Sequence, residues 1–108
     1  MVREWSPEEV VEQLRRDPRS LTLLDVRELY EVELARIEPS THVPMDEVPN
    51  RLDSIPRDGP IVVYCHHGAR SLAVAGYLES EGFPDVGNLT GGIDAWSILV
   101  DKSIPRYT

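Results

Sequence analysis

Cys65 is the single cysteine of the chain, and it is followed by His66, His67, Gly68, Ala69 and Arg70. One thiol cannot form an internal disulfide or by itself supply a four-ligand zinc site, so it is either a small buried side chain or a nucleophile. Burial as a small apolar group is the usual fate of an isolated cysteine after a strand. Two histidines, a glycine and an arginine within five residues do not fit a core position. They fit a loop that handles an anion, which needs donors, a tight backbone turn and a cation. We read Cys65 as a nucleophile.

A loop of this kind has to be presented by its neighbours. The apolar run Ile61-Val62-Val63-Tyr64 precedes Cys65, and Ser71 to Leu78 reads as a helix, which gives strand, loop and helix in order. In an open parallel sheet, ligands collect beyond the carboxyl ends of strands, where loops lead into helix N-termini. Successive backbone N–H groups can curl inward around the sulfur, with Gly68 permitting the backbone angles and the helix adding partial positive charge. The same donors favour a charged, nucleophilic sulfur. Arg70 either contacts a donor anion or ties the loop to carboxylates, and chemistry permits both. His66 and His67 are adjacent, and at most one of them is expected to face substrate. A zinc site from Cys65, His67 and His42 has no ligand-spacing pattern behind it, and no metal is expected. Asp25 and Arg27 end an earlier strand near the same rim, where an Asp–Arg pair would brace the loop from outside it.

The remaining elements follow from pattern. Ser6-Pro7-Glu8-Glu9 combines a capping hydroxyl, a proline for the first turn and a glutamate three residues after the cap, so a helix begins there and ends at Asp17-Pro18. Leu21 to Val26 and Pro60 to Tyr64 read as strands buried on both faces. Between them lie a charged helical stretch from about Glu28 to Arg36, an extended piece around His42-Val43-Pro44, and a helix from Asp46 to Leu52. Gly82 is placed to end the helix after the Cys65 loop in a left-handed conformation. Asp85 to Leu89 makes a last strand, and Thr90 caps a final helix with Ile93, Trp96, Leu99 and Val100 on its buried stripe. Trp96 with Gly91-Gly92 lets that helix pack closely on the sheet, and Trp5 covers the other end of the core. Strands alternating with helices imply a parallel sheet covered on both faces.

The chain's 108 residues suit one domain, 1–108, and its 28% charged and 41% hydrophobic content is that of a folded globular protein. A formal net charge of −8 opposes nucleic acid or an anionic membrane as a partner. No run of about 18 apolar residues is present, and Arg3 and Glu4 replace a signal-peptide core. A cytoplasmic monomer is expected.

Three segments in order, Leu24-Asp25-Val26-Arg27-Glu28 with Tyr30-Glu31, the loop from Cys65 to Arg70, and Leu89-Thr90-Gly91-Gly92-Ile93-Asp94-Ala95-Trp96, resemble the rhodanese family of sulfurtransferases over nearly the entire chain. That family's loop has six residues from cysteine to arginine, as this one does. The seven-residue form belongs to the related cell-cycle dual-specificity phosphatases and other cysteine phosphatases, and the position that would carry its arginine is Ser71. One residue fewer makes a smaller bowl, able to hold a sulfane sulfur and cramped for a tetrahedral phosphate.

The resemblance implies an α/β, rhodanese-like fold: a mostly parallel central sheet of about five short strands with helices on both faces. It also implies a thiosulfate-type sulfurtransferase. Cys65 would take a sulfane sulfur from thiosulfate or a persulfide donor, keep it as a persulfide held by His66, His67, Gly68, Ala69 and Arg70, and pass it to cyanide or a thiol, on a small molecule or a protein, with ping-pong kinetics and no metal or organic cofactor. The alternatives are a persulfide carrier, a non-enzymatic interaction domain of the same fold, and a small-loop cysteine phosphatase. The intact loop weighs against the second and its length against the third. One stretch departs from the pattern: where the family often has Gly-His-Ile-Pro-Gly-Ala, this chain reads Ala35-Arg36-Ile37-Glu38-Pro39-Ser40. Acceptor preference is therefore not carried over.

Overall fold

Ser6 and Glu9 form the anticipated capping box in the computed structural model, which describes residues 2–108. Ser6 Oγ accepts the Glu9 N–H at 3.1 Å, and the Glu9 carboxylate accepts the Ser6 N–H at 2.8 Å. Two orphan donors are thereby satisfied at the start of α1 (Pro7–Arg16), and Pro7 sits where its missing N–H loses no bond.

Five strands, β1 (Arg3–Trp5), β2 (Thr22–Asp25), β3 (Thr41–His42), β4 (Ile61–Tyr64) and β5 (Val86–Leu89), pair in parallel in the order β1-β5-β4-β2-β3. The helices α2 (Leu29–Leu34), α3 (Ala69–Ser80) and α4 (Gly92–Leu99) join α1 around this sheet, giving the parallel α/β arrangement expected from the sequence. β4 shows how one strand serves two cores, because side chains alternate across a sheet with a period of two. Ile61 and Val63 pack with Val74, Ala75 and Leu78 of α3, while Val62 and Tyr64 pack with Val10 of α1 and Ile93 and Trp96 of α4. All four β4 residues are buried, which explains the unbroken apolar run. Fully burying one such valine or isoleucine contributes about 1.5–3 kcal/mol. No helix among the described residues is long and apolar enough to cross a membrane.

Four local expectations are corrected. The segment expected as a helix from Asp46 to Leu52 forms two 3₁₀ turns, Met45–Asn50 and Leu52–Ser54; Pro49 has no N–H to give to an α-helical ladder. Thr90 does not cap α4: Gly91 does, and the Thr90 hydroxyl instead donates to Glu4 at 2.7 Å. Leu99 lies outside the buried stripe, 55% exposed, although Ile93 and Trp96 are buried. Finally, β1 was not anticipated, because three residues with two exposed charges carry no strand signal of their own and are ordered by pairing with β5.

Candidate active site

Cys65 is the first residue beyond β4, at the place where the chain's connections diverge. From β4 the chain crosses through α3 to β5 on one side, whereas β2 connects through α2 to β3 on the other. Such a divergence opens a crevice at the carboxyl edge of a parallel sheet. Gly68, with φ +108°, provides the left-handed turn that ends the loop and begins α3. The turn brings two N–H groups onto the sulfur: Gly68 N–H donates to Sγ at 3.1 Å and Ser71 N–H at 3.3 Å. The second is a first-turn donor of α3 with no partner inside the helix. Cys65 is 1% exposed.

Beneath the sulfur lies a neutral hydrogen-bonded floor. Ser71 Oγ is 3.3 Å from Sγ and donates to Asn88 Oδ1 at 2.6 Å. Asn88 Nδ2 faces acceptors, the Gly68 carbonyl at 3.3 Å and both Glu4 carboxylate oxygens at 3.2 Å. The orientation of this amide is therefore set by its partners, and the single Ser71 proton is committed to it. Ser71 accordingly turns an oxygen lone pair toward Cys65.

Behind the loop stands the start of α4. Ile93 N–H donates to the Cys65 carbonyl at 2.9 Å and Asp94 N–H to the His66 carbonyl at 3.1 Å. Gly92, with φ +64°, permits this approach, since a Cβ there would collide with those same two carbonyl oxygens. The loop's first carbonyls are thus tied to the start of α4.

The rim is charged. Arg70 grips Glu31 of α2 in a two-bond fork, Nη1 to Oε1 at 2.7 Å and Nη2 to Oε2 at 2.8 Å. The Arg70 hydrogen bond, then that of Tyr107, holds the Glu31 carboxyl down at about 2, well below the usual carboxylate range. Glu31 in turn raises Arg70. Arg27, wholly buried, pairs with Asp25 through Nε at 2.9 Å and Nη2 at 2.7 Å and donates to the Ala35 carbonyl at 2.7 Å. Burial opposes its charge, but the bonds to Asp25 and Tyr107 prevail and it too is raised. His66 is stacked between His67, with ring centroids 3.8 Å apart, and Tyr107, at 3.9 Å. Burial, and then the neighbouring His67, lower its tendency to charge.

The structure thus brings Cys65, Gly68 and Arg70 together as expected from the sequence, with differences in detail. Of the five loop amides expected to cradle the sulfur, those of His66, His67, Gly68, Ala69 and Arg70, the Gly68 amide is the one that donates to Sγ among the described residues, and the other donor is Ser71. Ala69 is exposed on α3. His67 is exposed, with Nε2 3.7 Å from Asp94. Asp25 and Arg27 form the anticipated pair, which braces the α2 segment. His42 turns away to the Arg27 carbonyl at 2.7 Å. Cys65, His67 and His42 are not brought together: among the described residues the clustered metal-type donors are His66, His67 and Asp94, and Asp94 is already held by Arg106.

Ser71, Asn88, Glu31 and Tyr107 were missed as site residues. Two of them left a trace, Ser71 as a hydroxyl at the first turn of α3 and Asn88 as an amide within an otherwise apolar strand.

Comparison with known proteins shows the family. A family model described as the rhodanese-like domain matches residues 6–99, and the chain belongs to that family. A sulfurtransferase of Allochromatium vinosum is 37% identical over 90% of this chain and 90% of its own. The thiosulfate sulfurtransferase GlpE of Coxiella burnetii is 32% identical over 72% of this chain and 73% of its own. Among solved structures, a rhodanese-like domain protein from Staphylococcus aureus covers 99% of this chain and 100% of its own at 27% identity, with a TM-score of 0.83.

Proposed function

We propose that the protein is a thiosulfate-type sulfurtransferase working through a persulfide on Cys65. The observation that carries this reading is the seat of the sulfur. A lone cysteine beyond a central strand accepts two N–H bonds at the start of a helix, behind a six-residue loop closed by Arg70. In the first half-reaction the Cys65 thiolate attacks the outer sulfur of thiosulfate. A sulfur–sulfur bond forms on the enzyme while the bond inside thiosulfate breaks, and its electron pair leaves with sulfite. In the second, cyanide or a thiolate attacks the outer sulfur of the persulfide, and the electron pair of the enzyme's sulfur–sulfur bond returns to Cys65 as thiolate. Charge balances in both steps and no outside oxidant is needed.

Donors aimed in advance at a growing negative charge stabilise it without reorganising. The backbone N–H groups of Gly68 and Ser71 serve the inner sulfur in this way. Arg70, 37% exposed at the rim, supplies the field that draws an anionic donor. The buried sulfur suits a small donor whose terminal atom can enter the bowl. The physiological partners on this reading are a small anionic sulfur donor and a thiol acceptor.

The test is to incubate the protein with thiosulfate and record its intact mass. One added sulfur atom is expected, removed by cyanide or dithiothreitol, with no addition to Cys65→Ser. A wild-type mass that never changes would refute the proposal.

A further inference from the structure

The family match ends at residue 99, yet the rim is completed by a residue beyond it. Tyr107 accepts a hydrogen bond from Arg27 Nη1 at 3.0 Å and donates one to Glu31 Oε2 at 2.8 Å. A single hydroxyl thereby joins the Asp25–Arg27 pair at the end of β2 to the Glu31–Arg70 pair at the end of the sulfur loop. The Tyr107 ring also lies parallel to His66 inside that loop, at 3.9 Å and 11°. Burial, with the Glu31 carboxylate adding to it, pushes the phenol up to about 12, so it keeps the proton it gives to Glu31.

The tail that carries Tyr107 is seated by contacts of its own. Ser97 Oγ donates to the Ile104 carbonyl, Arg106 holds Asp94 at 2.8 and 3.1 Å, and Ile104 and Tyr107 pack against the core that contains Trp96. It therefore presents the phenol from one fixed direction. Glu31 has only two carboxylate oxygens, and both are engaged by Arg70. The Tyr107 bond to Oε2 and the Glu28 N–H bond to Oε1 decide how that carboxylate is rotated, and hence where the planar Arg70 fork must lie.

We propose that Tyr107 is a positioning residue for sulfur transfer. Acting through Glu31 it holds the Arg70 guanidinium where an anionic donor meets the loop, and through its stack on His66 it holds the loop's first turn. The assignment rests on the reading of Cys65 as the sulfur acceptor, and its consequence falls on the donor half-reaction, where Arg70 meets negative charge.

The experiment compares wild type, Tyr107→Phe, Glu31→Gln and the double variant. Tyr107→Phe retains the ring and removes only the hydroxyl, so the tail stays packed and the melting temperature checks this. In the thiosulfate–cyanide reaction Tyr107→Phe is expected to raise the KM for thiosulfate about three- to tenfold with a smaller change in kcat. In the Glu31→Gln background it should add little, because its route of action is already cut. A second readout needs no sulfur donor. The rate at which iodoacetate, an anion, alkylates Cys65 relative to neutral iodoacetamide should fall several-fold in Tyr107→Phe as Arg70 loosens.

An active wild type with unchanged KM and unchanged alkylation ratio in Tyr107→Phe overturns the assignment of Tyr107 alone. So do effects that multiply independently in the double variant, since they would mean that Tyr107 does not act through Glu31. A wild type that takes up no sulfur removes the underlying reading and the proposal with it.

Discussion

The floor and the rim of the sulfur site solve the same problem, placing donors near a buried atom, by different physics. The floor, Ser71, Asn88 and the amides of Gly68 and Ser71, uses neutral donors on residues that the sheet and the start of α3 already hold in place. The rim, Arg70, Glu31, Arg27 and Asp25, uses full charges that come from α2, the end of β2 and the loop, and Tyr107 of the tail links them. Neutral donors cost little to bury once paired, whereas charges removed from water need several partners each. This is why Arg27, 0% exposed, has four acceptors around it: Asp25, the Glu31 and Ala35 carbonyls and the Tyr107 hydroxyl. The floor is therefore local and rigid, and the rim is assembled from distant segments and open to adjustment.

The sharpest way to break this contrast is to remove the atom both regions serve. Cys65→Ser should abolish sulfur uptake measured by intact mass while the fold persists, since the substitution changes one atom of similar size. Next in magnitude, Arg27→Met leaves Asp25 buried without its cation. Breaking a buried pair in this way costs about 3–5 kcal/mol, and denaturant unfolding should report a loss of that order. If Arg27→Met proves as stable as wild type, the rim's charges do not hold α2 to the end of β2.

Asn88→Ala probes the floor. It takes the acceptor from the buried Ser71 hydroxyl, so about 1–3 kcal/mol of stability should go, and the rate of the thiosulfate reaction should fall through kcat. By contrast Arg70→Lys at the rim, which cannot make the fork, should raise the KM for thiosulfate with a smaller loss of stability. If both variants changed the same kinetic constant, floor and rim would not be separate devices.

Acid should loosen the rim before the floor. Glu31 titrates at about 2 in the folded protein against an ordinary 4.5. The unfolded chain therefore takes up the proton first, and the stability Glu31 contributes is complete above about pH 4.5 and lost as pH falls toward 2. Glu31→Gln should remove that part of the pH dependence, measured as melting temperature between pH 5 and pH 2. The smallest effect is expected for Arg106→Ala: its partner Asp94 is lowered by the pair, but Arg106 lies exposed on the tail, and the melting temperature should stay where it was.

The same contrast explains what could be read from the amino acids alone. The strand before Cys65, the helix after it and the turn at Gly68 are local patterns, and the capping box at Ser6 is another, so the central strands and the seat of the nucleophile were legible. Glu31 stood within a recognised signature, yet nothing local says that it meets Arg70, 39 residues away. Tyr107 is further still, 80 residues from Arg27, beyond the last helix and outside every recognised motif. The choice between Arg70 as an anion contact and as a tie to a carboxylate could not be made without the fold, because a guanidinium suits both. β1 was invisible for a related reason: its order comes from β5, not from its own three residues.

One consequence of the way α4 abuts the nucleophile's loop concerns how such a protein can change its reagent. Lengthening the segment between Cys65 and Arg70 to admit a bulkier oxyanion would shift two peptide oxygens off the amides of Ile93 and Asp94 and press them against Gly92. Bowl size is thus written in two stretches of chain at once. Selection for a wider bowl should recover insertions together with substitutions at positions 91 to 94, and seldom either kind by itself.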